Sequence, residues 1–175
     1  MQREVAHHNA QLDGQGYPPI HIGVGLHTGT LMLGIIGEEQ RVQGTVISDA
    51  VNLTSRMEEL TKVYGVSIVA SGQTLSRAQN AARVHSRFLD HIQVRGKQEP
   101  VSVFEILDGD DEPDFELKLR TRPAFEEGLR LYQRQRFAEA SVHFSRVLEQ
   151  NLLDKAVRLY LQRAAHYMVH GAPAE

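Results

Sequence analysis

Arg41-Val-Gln-Gly-Thr45-Val-Ile-Ser48-Asp-Ala-Val-Asn52-Leu-Thr-Ser-Arg56-Met-Glu-Glu59 is the stretch on which the reading of this chain turns. A short strand runs into a helix, and Ser48 stands where a side-chain hydroxyl can accept from an amide of the first turn. Asn52 and Arg56 lie four apart, so a helix projects them side by side from one face. Leu53, Met57, Leu60 and Tyr64 recur at helical spacing on a neighbouring face and can bury it. One face anchors the helix; the next offers an amide and a guanidinium, a pair suited to a ribose and a phosphate. Alone, the window reads first as an ordinary amphipathic helix with a solvated Asn and Arg. The flanking segments change that.

Upstream, Ile20-His-Ile-Gly23-Val-Gly25-Leu-His27-Thr-Gly29-Thr-Leu-Met-Leu-Gly34-Ile-Ile-Gly37 places two apolar runs around His27-Thr28-Gly29, which predicts a buried β-hairpin. A dinucleotide fingerprint fails, because Thr28 occupies the place of the third glycine and Leu31-Met32-Leu33 reads as strand where a helix is needed. Downstream, residues 66–72 read as a short strand ending in a turn, and residues 74–78 as a brief helix. Residues 83–95 and 101–107 read as two further strands joined by Gly96-Lys97-Gln98-Glu99-Pro100. A basic residue beside such a turn is ordinarily a solvated tip.

In this order and spacing, residues 20–107 resemble the C-terminal half of a class III adenylate/guanylate cyclase catalytic domain. The glycines at 25, 29, 34 and 37 follow that family's hairpin, and residues 45–56 are the most specific part. The resemblance implies an α/β (α+β) ferredoxin-like fold with an antiparallel sheet. It implies formation of a 3′,5′-cyclic nucleotide and pyrophosphate from ATP or GTP, at a site shared between two subunits of a homodimer. Asn52 matches the residue that orients the ribose, and Arg56 the one that stabilises the transition state at the α-phosphorus. Thr45 falls where the purine edge is read, and Arg95 or Lys97 where the triphosphate is held. Two departures stand out: Gly44 where Tyr or Phe is common, and Ser48 in place of Gly before the helix.

The family holds Mg²⁺ or Mn²⁺ with two upstream aspartates, one in an Asp-Ile/Val-x-Gly-Phe-Thr segment and one in a Gly-Asp hairpin. Neither motif is in this sequence, nor is the family's adenine-reading lysine, and no metal ligand is assigned. Met1, Val5, His8 and Leu12 keep helical spacing from the first residue without a capping residue ahead of them, which suggests an internal methionine of a longer chain. These 175 residues alone are therefore expected to be inactive.

Composition sets the outer limits. A formal net charge of −3 gives no case for nucleic acid or an anionic membrane as partner. The absence of cysteine excludes disulfides and thiolate chemistry. No apolar run approaches the roughly 20 residues of a membrane span; a cytoplasmic location is expected, on its own or as part of a membrane-anchored protein. Among nine histidines, His166 and His170 have a ligand's spacing but neither the zincin glutamate nor a thiol, so solvated histidines are expected. His21 and His27 are expected to be partly buried and hydrogen-bonded.

Residues 1–107 thus form the cyclase-like part, 108–122 read as a linker from its prolines and its acidic-then-basic charge, and 123–175 as a helical unit. Pro123 suits a first helical turn. Gly128, Ala140 and Phe144 fall at the small, small and aromatic positions of a tetratricopeptide repeat, with residues 155–169 as a third, capping helix. A single repeat is below the roughly three that make a stable solenoid, so this unit is expected to pack on the cyclase part, on a second copy or on further repeats. The competing reading of the whole chain is a non-catalytic cyclase-like protein that docks a partner through this tail.

Overall fold

Helix α2 (Asp49–Tyr64) is the element around which the fold is arranged. The computed structural model describes residues 1–38, 41–93 and 99–172, with backbone alone over 33–38 and 41–47. Ser48 caps α2, accepting from the Val51 amide at 3.3 Å, and Gly65 closes it in the left-handed conformation at φ 65°. Leu53, Met57, Thr61 and Tyr64 are the residues α2 buries. The helix lies directly on strand β1 (Val24–Leu26). A Cβ on Gly25 would stand 2.6 Å from the Thr54 carbonyl oxygen and the Glu58 nitrogen, so only glycine lets the two backbones approach this closely.

The sheet differs from the expectation. With β2 (Met32–Glu38), β3 (Arg41–Ile47), β4 (Ile68–Ser71), β5 (Ser86–Ile92) and β6 (Val101–Ile106) assigned, the described strands form a four-stranded sheet in the order β1-β4-β6-β5 and a separate β2–β3 hairpin. The β1–β4 pair is parallel while β4–β6 and β6–β5 are antiparallel, so the sheet is mixed rather than antiparallel. The two apolar runs around His27-Thr28-Gly29 do not pair with each other either. The first joins β4, and the second pairs with β3 from Met32 opposite Ile47 to Glu38 opposite Arg41. Alternation and apolarity specify a strand but not its partner, and β1 is held by the helix above it.

Three helices complete the chain after the short α3 (Gly72–Arg77): α4 (Glu112–Gln133), α5 (Phe137–Gln150) and α6 (Lys155–His170). Residues 112–122, expected as linker, are helical; α4 begins well before Pro123, which lies inside it. Pro113 supplies the first-turn proline instead, where no amide is needed. A turn through Gln135, at φ 58°, leads to α5. At the α4–α5 crossing, a Cβ on Gly128 would stand 2.6 Å from the Phe144 ring, so the small residue admits the large one. Phe144 is wholly buried, and removing its ring would cost about 3–5 kcal/mol.

The tail is joined to the sheet by buried charge and by shared core. Arg87 of β5, with no exposed surface, gives Nε to Glu105 of β6 at 2.5 Å and Nη1 to Asp154, the α6 cap, at 2.6 Å. Its guanidinium sits 4.5 Å from the centre of the Phe125 ring. Lys118 of α4 reaches Glu105, Asp110 and Asp114 at 2.8–2.9 Å. Edge strand β5 is covered by α4: Arg122 donates to the Ser86 carbonyl, and Glu126 accepts from the Phe88 amide. One apolar cluster runs from Leu53 and Tyr64 of α2 through Val69, Leu89 and Val103 of the sheet to Phe125, Phe144 and Tyr160 of the tail. Among the described residues, no buried side-chain polar atom lacks a partner.

Candidate functional site

Asn52 and Arg56 are both exposed on the same side of α2, as their spacing predicts. Their surroundings differ. Asn52 lines an open cleft of about 510 Å³, with Thr30, Leu31 and Met32 on one wall and Ser48, Asp49 and Val51 at the helix N-terminus. Arg56 lies one turn further on, outside that lining. Its Nη1 donates to the Gln93 carbonyl at 3.3 Å, just past the end of β5. Neither residue has bulk packed over it, because the anchoring work is done on the neighbouring face by Leu53 and Met57.

Thr45 lies in β3, its backbone opposite Gly34 of β2, three residues before the Ser48 cap. Arg95 and Lys97 lie outside the described residues, in the β5–β6 connection. Gln93, whose carbonyl accepts from Arg56, is the last described residue before that connection. The sequence offers no signal for the Gln93 contact, since a backbone carbonyl accepts irrespective of its side chain.

Behind the site, the far end of α2 is fixed by two phenols. The Tyr64 hydroxyl donates to Asp90 of β5 at 2.5 Å, and the Tyr64 ring stacks on Tyr160 of α6 with centroids 6.1 Å apart. Burial, with the Asp90 carboxylate alongside, pushes the Tyr64 phenol up to about 12, so it remains a donor at neutral pH. His27, half-buried, bonds Ser71 Oγ at 2.9 Å, whereas His21 is exposed, contrary to expectation, because the segment before β1 runs along the surface. His166 and His170 are exposed and adjacent, and no group of three or more metal-ligating side chains occurs among the described residues.

Residues 1–107 match the model of the adenylate and guanylate cyclase catalytic domain. The chain belongs to that family. Among curated relatives, this cyclase chain is 34% identical over 153 residues to the terminal-differentiation-specific adenylate cyclase of Dictyostelium discoideum, covering 87% of this chain and 7% of that protein. It is 38% identical over 92 residues to an adenylate cyclase of Anabaena cylindrica, covering 52% of this chain and 18% of that one. The chain therefore spans less than a fifth of either relative. The adenylyl cyclase CyaB from P. aeruginosa has a similar fold, with a TM-score of 0.50 at 26% identity over 65% of this chain and 55% of that one. The Dictyostelium alignment is longer than the whole family match, so it runs on into the helical tail.

No helix among the described residues of this cyclase chain is long and apolar enough to cross a membrane.

Proposed function

We propose that this chain supplies the Asn52/Arg56 side of a nucleotide cyclase site that converts ATP or GTP to the 3′,5′-cyclic nucleotide. The ribose 3′-oxygen forms a bond to the α-phosphorus, its proton passing to water, as the bond from that phosphorus to the β-phosphate bridging oxygen breaks and pyrophosphate leaves with the pair of electrons. Asn52, on the cleft, orients the ribose so that its hydroxyl lies in line. Arg56 meets the charge that gathers on the phosphoryl oxygens in the transition state. Thr45 contacts the purine, and Arg95 or Lys97 holds the triphosphate. The observation that carries this reading is the shared exposed face of Asn52 and Arg56 on a helix anchored along its neighbouring face by Leu53, Met57 and Tyr64.

The residues present do not fit the Mg²⁺ or Mn²⁺ that the family implies. Among the described residues lining the cleft, Asp49 is the one carboxylate, and a metal pair needs several. The metal-holding carboxylates belong, on this reading, to residues other than these 175, and the complete site forms in a homodimer. The helical tail resembles a tetratricopeptide unit in its Gly128–Phe144 crossing, but its largest rings are buried against the sheet. That favours a cyclase with a built-in tail over a non-catalytic docking protein.

The test is cyclic nucleotide formation from ATP and from GTP with Mg²⁺ or Mn²⁺ present. Residues 1–175 alone should give none; the same residues joined to a segment bearing the family's two aspartates should give product. Product from residues 1–175 alone, or none from the joined protein when folded and dimeric, overturns the reading.

A further inference from the structure

Arg56 rests on two supports, and one side chain of the tail holds both. The first support is α2 itself, whose last residue, Tyr64, stacks on Tyr160 with ring planes 16° apart. The second is the end of β5, where the Gln93 carbonyl accepts from Arg56. The pairing of β5 with β6 slips between Phe88 and Asp90, so Leu89 is the extra residue of a bulge. Its carbonyl accepts from the Tyr160 hydroxyl at 2.8 Å. Tyr160 therefore bonds the strand four residues before Gln93 and stacks on the helix eight residues after Arg56. These are arms of about 13 Å along a strand and about 12 Å along a helix. Tyr160 is 2% exposed, Leu89 is fully buried, and Arg163 lies 5.5 Å from the Tyr160 ring centre on the outer side. The N-terminus of α6 is fixed in turn by Asp154 on buried Arg87.

Resting on the cyclase reading above, we infer that Tyr160 is a positioning residue for Arg56: it sets the distance between the helix that carries the guanidinium and the strand that receives it. The tail is then a part of the catalytic machinery's frame. A nearby feature accords with this. Burial pushes the Tyr160 phenol well above its usual range, with Asp90 and Tyr64 adding to the effect, so the hydroxyl keeps its proton and stays a donor.

Tyr160→Phe keeps the ring and removes the hydroxyl that bonds Leu89 and lies beside the Tyr64 phenol. In the 175-residue chain, amide hydrogen exchange should quicken over residues 52–64 and 89–93 while residues 137–150 stay as in the parent. Exchange that changes only within α6, or everywhere alike, overturns the inference. In a protein that also carries the metal-binding aspartates, kcat should fall roughly three- to tenfold with KM nearly constant. In an Arg56→Ala background, the same substitution should do nothing further. Full additivity in that background also overturns it. If the parent makes no cyclic nucleotide, the proposed function falls, and the exchange measurement alone decides whether Tyr160 couples helix to strand.

Discussion

Two arginines of this chain stand in opposite circumstances. Arg87 is sealed between β5, β6 and α6, with Glu105, Asp154 and the face of Phe125 around it. Arg56 is exposed and gives one Nη1 to a backbone carbonyl; among the described residues it has no carboxylate partner. A guanidinium enclosed by two carboxylates has its charge answered within the fold and nothing to offer a ligand. An exposed one on an anchored helix keeps most of its planar fork open to solvent. Of the two, the buried charge holds the fold and the exposed one is the candidate for chemistry.

The contrast is sharpest under substitution. Arg87→Ala should lose about 3–5 kcal/mol in urea unfolding, because it strands Glu105 and Asp154 in the interior. A loss below about 1 kcal/mol would mean that water replaces the guanidinium and that the tail is only loosely held. Arg56→Ala should leave unfolding within about 0.5 kcal/mol of the parent. In an active cyclase containing this segment it should lower kcat roughly 100- to 1000-fold. Arg56→Lys should recover little, since an ammonium lacks the fork; an effect confined to KM would remove Arg56 from the transition state.

Gly128→Ala addresses the tail alone. The new methyl meets the buried Phe144 ring, so a loss of about 1–3 kcal/mol is expected, with no change in the exchange rates of residues 48–56. The smallest effect is a slope. Burial raises the Asp110 carboxyl from 3.8 to about 6, with Glu105 and Asp114 adding to it against the pull of Lys118. Between those values the folded chain holds a proton that the unfolded chain has released, so stability contributed by Asp110 falls as pH rises from about 4 to about 6. Asp114 acts oppositely and lower down: although burial opposes it, bonding to Lys118 holds its carboxyl below the ordinary range, and acid below that range costs stability. Thermal unfolding of Asp110→Asn against pH should therefore lose the slope between pH 4 and 6 and keep the acid limb. An unchanged slope would assign the proton to another group.

The part of this architecture legible in the sequence is the part written in local spacing. Ser48 as cap, Leu53, Met57 and Tyr64 as the buried face, and Asn52 with Arg56 beside it all follow from helical period. The strands at 86–92 and 101–106 follow from apolar runs on either side of a turn. Pairing was not legible: the run at 24–26 finds its partner at 68–71, some forty residues on, through a helix that no strand pattern announces. The start of α4 was hidden by charge. Residues 108–122 look like a solvated connector only until Lys118 is seen amid three carboxylates, Glu105 on β6, Asp110 in the turn before α4 and Asp114 one turn earlier on α4 itself. For the same reason Arg87, an arginine in a strand, gave no sign of being fully enclosed together with Glu105.

The close seating of α2 on Gly25 has a mechanical consequence. Side chains between two elements act as a cushion, since each can change rotamer and absorb a fraction of an ångström. Here, over Thr54 to Glu58, backbone meets backbone and no such cushion exists. Arg56 lies within that span. A displacement of β1, from whatever source, would reach the guanidinium undamped, and the parallel strand β4 beside it would carry the same motion. Stiffness at this contact makes β1 an element through which movement elsewhere in a larger assembly could open or close the distance between Arg56 and the Gln93 carbonyl.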